Sequence, residues 1–536
     1  MTEAKKQIQL NDVCLRESAQ VSGGAMSPGD QLTYVRYLLE GGIDRIEIGF
    51  PGSSKVQLEN CGRIVDFVNN NAKGKRPLLG GLARAKKEDI DAIKEAGCDL
   101  CHIYIPASPD FVKAMFAADK YGDTVEGKQN WTIDQAGAMV AYAKSLGFKS
   151  IEYSPEDAAR TSREFLYRMV GAVISAGADV VNIPDTTGLR VGNEFGDLIA
   201  LIEENVPNRK NALISIHCHN DSDHGTHNAL QAVLNGADII EGTFFGLGER
   251  SGMTKLEAII MNMHTRQDMF GDFKIDFKPE LCVKIVSFIA NALGMNVPRH
   301  WVVVGAQNSI CSSGTHQAIE ARAREQGMES AYYSWHPETY GHAKVTTVIN
   351  QSSGREGLRI RLEELGYALG KEELQKIYSE SVKISEAMAG KPLSDRELAA
   401  IVHETIDIIP FPIKVKRCQA IGGEGSLPTA TVVVEIDGKE SISASVGVGP
   451  YDAIMHSVIR AAEEFYPELK KVKISLNDWR PVAVSSGSDA LADVYGRIRI
   501  NNDENHTFSG RAVHIDTNQA SAQAFANCLS WYLASL

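Results

Sequence analysis

The chain has 536 residues, more than one domain by the usual size of domains, with 43% hydrophobic residues, enough for ordinary packed cores. Lys and Arg total 55 against 68 Asp and Glu, and the formal net charge of −13 argues against a nucleic-acid or anionic-membrane partner. There is no charged-then-apolar leader and no apolar run of about 18 residues, and nine scattered cysteines suit a reducing cytoplasm better than a disulfide framework.

Short β-rich runs recur through the first half, at Gln7–Leu15, Arg45–Gly49, Pro77–Leu82, Leu100–Ile105, Ser150–Tyr153, Val180–Ile183, Ala212–His217 and Ile239–Thr243. Segments with helical spacing lie between them, such as Pro28–Gly41, Lys86–Gly97, Ile133–Leu146, Thr161–Gly177 and His227–Gly236. Several stop at a glycine (Gly97, Gly147, Gly177, Gly236), where a helix end needs a left-handed residue. Eight strands, each followed by a helix, over about 260 residues predict a (β/α)8 TIM barrel. A doubly wound sheet is the alternative, but no Gly-x-Gly-x-x-Gly follows the first strand. Cys98-Asp99-Leu100-Cys101 has C-x-x-C spacing but opens an apolar strand, so no redox role is expected.

In a barrel, catalytic groups sit at the C-terminal ends of strands, and this chain concentrates polar residues there. Arg16 and Glu17 follow the first strand, His102 the fourth, Ser154 and Glu156 the fifth, and Asn182 and Thr186 the sixth. The seventh carries His217-Cys218-His219-Asn220-Asp221. On a strand, side chains at i and i+2 share a face, so both imidazoles aim at one point, as a metal chelate requires. Read alone, His-x-His is equally a pair of surface or capping histidines; its place at the shared rim favours the chelate. The eighth strand leads into Gly246–Gly252, a glycine-rich turn.

Beyond the barrel, Phe270 to Arg299 reads as helical. Gly354–Gly366 carries Arg355, Arg359, Arg361, Glu363 and Glu364 at helical spacing, a solvated face, and Lys371–Met388 and Ser394–Ile406 are amphipathic. Pro410-Phe411-Pro412 marks a boundary. After it, Thr431–Ile436 and Ser441–Val446 alternate around Asp437-Gly438, a hairpin signal. Ala453–Tyr466 is helical, Lys471–Leu476 and Tyr495–Ile500 are strands, and Ala520–Leu533 is a last helix. The expected organisation is a barrel over 1–270, a mostly helical linker over 271–408 and a small α+β domain over 409–536.

Taken together, these residues resemble the metal-dependent TIM-barrel Claisen condensation enzymes and lyases, most closely the 2-isopropylmalate synthase family with its citramalate and homocitrate relatives. The resemblance rests on Asp12–Gln20, Glu47–Pro51, Tyr153–Glu156, Asn182–Gly188, His217–Asp221, Glu241–Gly252 and Ser313-Gly314-Thr315-His316-Gln317, together with the stretch from Ser353 to Tyr367 and the C-terminal segments Gly423–Val434 and Gly447–Ala453. It implies that Arg16 lies beside the reacting carbonyl and that Glu17, His217 and His219 ligate a divalent metal (Mg, Mn or Zn). It implies that Thr186 holds the carboxylate of a 2-oxo acid, and that His102, Ser154 and Asn182 surround its side chain. Glu156, His316 and Tyr332 would form the acid–base group around the acetyl-CoA methyl. The implied activity is condensation of acetyl-CoA with a 2-oxo acid in leucine biosynthesis, with citramalate, homocitrate or Re-citrate synthesis as neighbouring alternatives. The implied assembly is a cytoplasmic homodimer with an amino-acid effector at the C-terminal domain. Two departures from the family matter most, glutamate at position 17 where aspartate is usual and methionine at 253 where asparagine is usual, and the family's Asp-Gly-Glu-Gln is further altered to Glu17-Ser18-Ala19-Gln20. A metal-poor ligand-binding paralogue is the reading these departures would favour.

Overall fold

The computed structural model describes residues 5–536 except 344, 348, 351, 368, 388–391, 394, 407–412, 424, 484–490, 502 and 504–506. The Pro410–Pro412 boundary lies outside the described residues, as do the ends expected at Met388 and Ser394. The chain divides into two compact units, Met1–Ser309 with Ser334–Val345, and Ile310–Tyr333 with Thr346–Leu536.

The first unit is a closed, parallel eight-stranded barrel in sequential order. Its strands are β1 (Gln9–Asp12), β2 (Arg45–Gly49), β3 (Leu78–Arg84), β4 (Leu100–Pro106), β5 (Ser150–Glu156), β6 (Val180–Asp185), β7 (Leu213–Cys218) and β8 (Ile239–Gly242). β1 closes the ring by pairing with β2 and β8. A parallel barrel sheathed by helices buries both faces of each strand, and nearly every strand residue is buried accordingly.

The helices start where side-chain caps allow. Ser27 accepts from Asp30 N, Ser54 from Gln57 N and Ser162 from Phe165 N, each satisfying an orphan N–H of the first turn. Thr124 does the same at Gly127 N, so the helix before β5 runs Val125–Ser145 and begins eight residues earlier than its apolar spacing predicts. Gly42 and Gly177 cap helices in the left-handed conformation. The first strand is shorter than expected because Asp12 turns the chain. Its Oδ1 accepts from Cys14 N at 3.2 Å and its Oδ2 from the Tyr34 hydroxyl at 2.6 Å, starting a short helix, Cys14–Ser18. Past the barrel, the continuous helix expected from Phe270 is broken; Cys282–Ala292 is its helical core.

The second unit contains helices Gly314–Glu325, Arg355–Glu364, Lys371–Ala387 and Asp395–Ile406. Arg359 pairs with Glu356 and Glu363, and Arg361 with Glu364 and Asp395, so the charged helix is the laced outer face its spacing implies. Two β-β-β-α repeats follow. β9 (Lys414–Ile421), β10 (Thr429–Ile436) and β11 (Lys439–Val446) precede helix Pro450–Ala462. β12 (Ile474–Ala483), β13 (Ala492–Ile500) and β14 (Thr507–His514) precede helix Thr517–Ala534. Each sheet is antiparallel with its middle strand central, and the two repeats share one apolar core.

The β10–β11 hairpin turns on Asp437 (φ 50°) and Gly438 (φ 74°). Two left-handed residues in succession match the twist of the flanking strands. Gly438→Val is expected to cost about 1–2 kcal/mol, the usual cost of forcing an L side chain into that region, read as a lower urea midpoint with an unchanged slope.

Candidate active site at the barrel rim

The C-terminal rim of the barrel encloses a cavity of about 150 Å³. Arg16, Glu17, His102, Ser154, Glu156, Asn182, Thr186, His217 and His219, drawn from five different strand ends, all line it. His316 and Tyr332 belong to the second unit, where their rings stack with centroids 4.0 Å apart.

The histidine pair leaves β7 as its spacing predicts. His217 and His219 are both buried, with ring centroids 5.1 Å apart. Each is oriented through Nδ1: His217 Nδ1 lies 2.8 Å from Glu241 Oε2, and His219 Nδ1 lies 3.2 Å from the Gly252 carbonyl. A hydrogen bond from Nδ1–H leaves the Nε2 lone pair as the donor toward the cavity. Glu17 Oε1 is 3.5 Å from His217 Nε2. Ligand atoms of Glu17, His217 and His219 all fall within 4.8 Å of one another. Glu17 Oε2 is buried without a hydrogen-bond partner among the described residues, an uncompensated cost that a cation would remove. Burial raises the Glu17 carboxyl, but Arg16 and the two histidines outweigh it and hold Glu17 below the usual carboxylate range. Burial, with His217 beside it, depresses His219 to about 4, so it is neutral at physiological pH, as a metal ligand must be. The donor set therefore fits a divalent cation.

A second cluster, Glu47, His102 and Glu241, has similarly close ligand atoms, but its valences are spent. His102 lies between Glu47 Oε2 (2.5 Å, through Nδ1) and Ser154 Oγ (2.7 Å, through Nε2). Glu241 accepts from Asn11 at 2.9 Å and from Asn182 at 3.2 Å besides meeting His217. Burial disfavours the His102 imidazolium, yet Glu47, Glu241 and Glu152 outweigh it and raise His102 to about 9. The cluster is an internal ion-pair network. Through it Arg16 is fixed, its Nε 2.5 Å from Glu47 Oε1 and its Nη1 against Glu17.

Opposite the cradle, burial and the neighbouring charges of Asp157 and Glu249 push Glu156 up to about 7. The β5 and β6 ends are stitched together: Asp157 N donates to Thr186 Oγ1 at 3.0 Å. Arg250 then clamps the rim, donating to both oxygens of Asp221 (2.8 and 2.9 Å) and to the Thr186 carbonyl (2.7 Å). Gly252 (φ 83°) is required in this turn, since a Cβ would lie 2.0 Å from the Gly246 carbonyl oxygen. Met253 is fully buried and bridged antiparallel to His219.

Sequence reading missed Glu47, Glu241 and Glu249 as site groups, along with Leu82 and Tyr104, which also line the cavity. For Glu47 and Glu241 a signal existed: each is a charge inside a buried barrel strand, beside Arg45 in β2 and alone in β8, and a buried charge must be paired. Cys98 and Cys101 are buried free thiols whose pKa burial pushes up, consistent with no redox role.

The fold and site define a barrel enzyme whose rim gathers two histidines and a carboxylate close enough together to hold a metal ion. The HMGL-like family matches residues 7–284, and the LeuA allosteric (dimerisation) domain matches residues 392–533. The 2-isopropylmalate synthase of Clostridium kluyveri is 35% identical, covering 98% of this chain and 96% of that protein. That of Syntrophus aciditrophicus is 33% identical (99% and 97%), and that of Nostoc sp. 34% (100% and 98%). This chain belongs to the 2-isopropylmalate synthase family.

Glu241→Gln keeps the shape of the His217 support but removes its charge. It should weaken Mn²⁺ binding about 10- to 100-fold, the usual effect of losing such a partner, measured by calorimetry on the metal-stripped protein.

Proposed function

We propose that this protein joins the methyl carbon of acetyl-CoA to the keto carbon of a 2-oxo acid and then hydrolyses the thioester, as a 2-isopropylmalate synthase. The observation that carries the reading is one cavity lined by the Glu17–His217–His219 cluster, Arg16 and Glu156.

Thr186 would bind the carboxylate of the 2-oxo acid, and His102, Ser154 and Asn182 would flank its side chain. Glu17, His217 and His219 would hold a divalent cation, which would supply Lewis acidity for polarising the ketone. Glu156 takes a proton from the acetyl methyl, and the resulting carbon nucleophile bonds to the keto carbon. The keto oxygen gains the displaced electron pair as an alkoxide, which the Arg16 guanidinium stabilises; a fixed donor of this kind contributes about 3–4 kcal/mol. Arg16 can do this because Glu47 already fixes its orientation. Protonation of the alkoxide and attack of water on the thioester give the hydroxy diacid and free CoA. His316 and Tyr332, stacked in the second unit, are assigned to proton transfer by family resemblance. The family match over residues 392–533 supports the C-terminal segment, 409–536, as the site of homodimer formation and amino-acid feedback, and the match over 7–284 supports barrel 1–270 as the catalytic part. The setting we infer is cytoplasmic.

Release of free CoA from acetyl-CoA with a panel of 2-oxo acids, with chelator or with added Mg²⁺, Mn²⁺ or Zn²⁺, tests the reading; no release under any condition would refute it. Glu156 must be ionised to accept a proton, so activity should fall as pH drops through about 7. Glu249→Gln removes a like charge and should move that acid limb to lower pH. Glu156→Gln should lower kcat about 10²- to 10⁴-fold, the usual contribution of a general base. A pH–rate profile of the three proteins decides both points.

A further inference from the structure

Beside the catalytic cavity, at the ends of β3 and β4, the barrel carries a second cavity of about 470 Å³. Tyr104 lines both, so the two spaces lie on either side of one side chain. The second cavity has an aromatic wall. Phe116, Tyr121 and Trp131 pack mutually, with centroids 4.9 Å (Phe116–Trp131), 4.6 Å (Tyr121–Trp131) and 5.1 Å (Phe116–Tyr121) apart. The wall is braced from behind. The buried Lys128 ammonium donates to the carbonyls of Phe116, Ala117 and Ala118 at 2.6, 3.3 and 3.4 Å, closing the end of helix Pro109–Met115. At the lip, Met115 is 66% exposed, a large apolar side chain left in water at the mouth of a preformed apolar space.

The charge at this mouth is positive. Arg84 is committed to Asp89 by a bidentate pair. Lys86 is exposed and makes no ion pair among the described residues. The catalytic cavity is about 150 Å³ and already houses the metal cradle and the acid–base carboxylate. It has no room for a coenzyme, so a long thioester must leave it along one side. The side past Tyr104 offers the second, largely apolar cavity with an unpaired cation at its edge, matching an arm that is apolar and amide-bearing near the sulfur and anionic at its far end.

We propose that this cavity holds the pantetheine arm of the acyl-CoA thioester, with Lys86 at its mouth facing the diphosphate. The inference rests on the condensation reading above and assigns a place to the coenzyme of that reaction. Binding energy from the non-reacting arm appears mainly in KM for the thioester, and it is absent for a substrate that lacks the arm.

Met115→Glu and Lys86→Glu change two exposed residues at the mouth and leave the catalytic groups untouched. Each should raise KM for acetyl-CoA about tenfold, the scale set by losing one ordinary contact, with kcat and KM for the 2-oxo acid unchanged. With S-acetyl-N-acetylcysteamine, which lacks the arm beyond its first amide, variants and parent should behave alike. Calorimetric titration with CoA itself should show the same loss without turnover. Unchanged KM and CoA affinity in both variants, or equal losses with the truncated thioester, would overturn the proposal. If the parent protein binds CoA and turns over while the variants match it, only the role of this cavity fails. If the parent neither binds CoA nor releases it from acetyl-CoA, the condensation reading fails as well.

Discussion

The barrel mouth must bury several like charges close together, and the rest of the site depends on how it does so. Glu17, Glu47, Glu152 and Glu241 are each at most 1% exposed. Carboxylates at that depth survive only when neutralised and hydrogen-bonded. Two positive groups answer this need directly, Arg16 against Glu17 and Glu47, and the His102 imidazolium between Glu47 and the other acids. Arg45 meets Glu152 at 3.2 Å from below, but burial beside Glu241 still pushes Glu152 up to about 7. Glu241 alone joins Asn11 of β1, Asn182 of β6 and His217 of β7. The electrostatic requirement thus becomes a geometric one: the buried acids also fix the guanidinium and imidazoles that line the cavity. Removing one acid would release a cavity-lining side chain as well as a charge.

The barrel was legible because its signals are local. Apolar runs of strand length, helical spacing between them and glycine stops repeat eight times, and β2 matches its sequence reading to the residue. The rim residues were legible for the same reason, since a polar group just past an apolar run lies at a known end of a known fold. Glu47 and Glu241 were not. Each occupies a strand interior, and in one dimension nothing says that β2 and β8 aim these side chains toward one histidine, His102. Only closure of the ring brings together residues about two hundred positions apart, and only then does His102 appear as a bridge between acids.

A similar limit acted on the C-terminal repeats. The central strands β10 and β13 were found because one face of each is packed under a helix and the alternation is clean, as the burial pattern of β13 shows. β9 and β14 were missed. β9 is an edge strand reading Lys-Val-Lys-Arg-Cys-Gln-Ala-Ile, whose charges serve an exposed edge and mask the period of two. The repeated β-β-β-α pattern was therefore hidden, although both copies feed one core.

The two departures from the family pattern act on different parts of the cradle. Glu17 is one methylene longer than aspartate, but it rides on a five-residue helix whose first residue, Cys14, donates to the Asp12 carboxylate that the Tyr34 hydroxyl also holds. Burial raises Asp12 to about 7, so this anchor is itself poised near neutrality, held by hydrogen bonds rather than by a cation. From that base Glu17 reaches both Arg16 and His217 and keeps one oxygen unspent. Met253 turns into the core, and its loop contributes the Gly252 carbonyl that orients His219. A thioether is a poor partner for a hard cation, so a divalent ion here would be held by Glu17, His217 and His219. With methionine where the family has asparagine, the protein would offer three donors, and the 2-oxo acid of the proposed reaction would add its own oxygens.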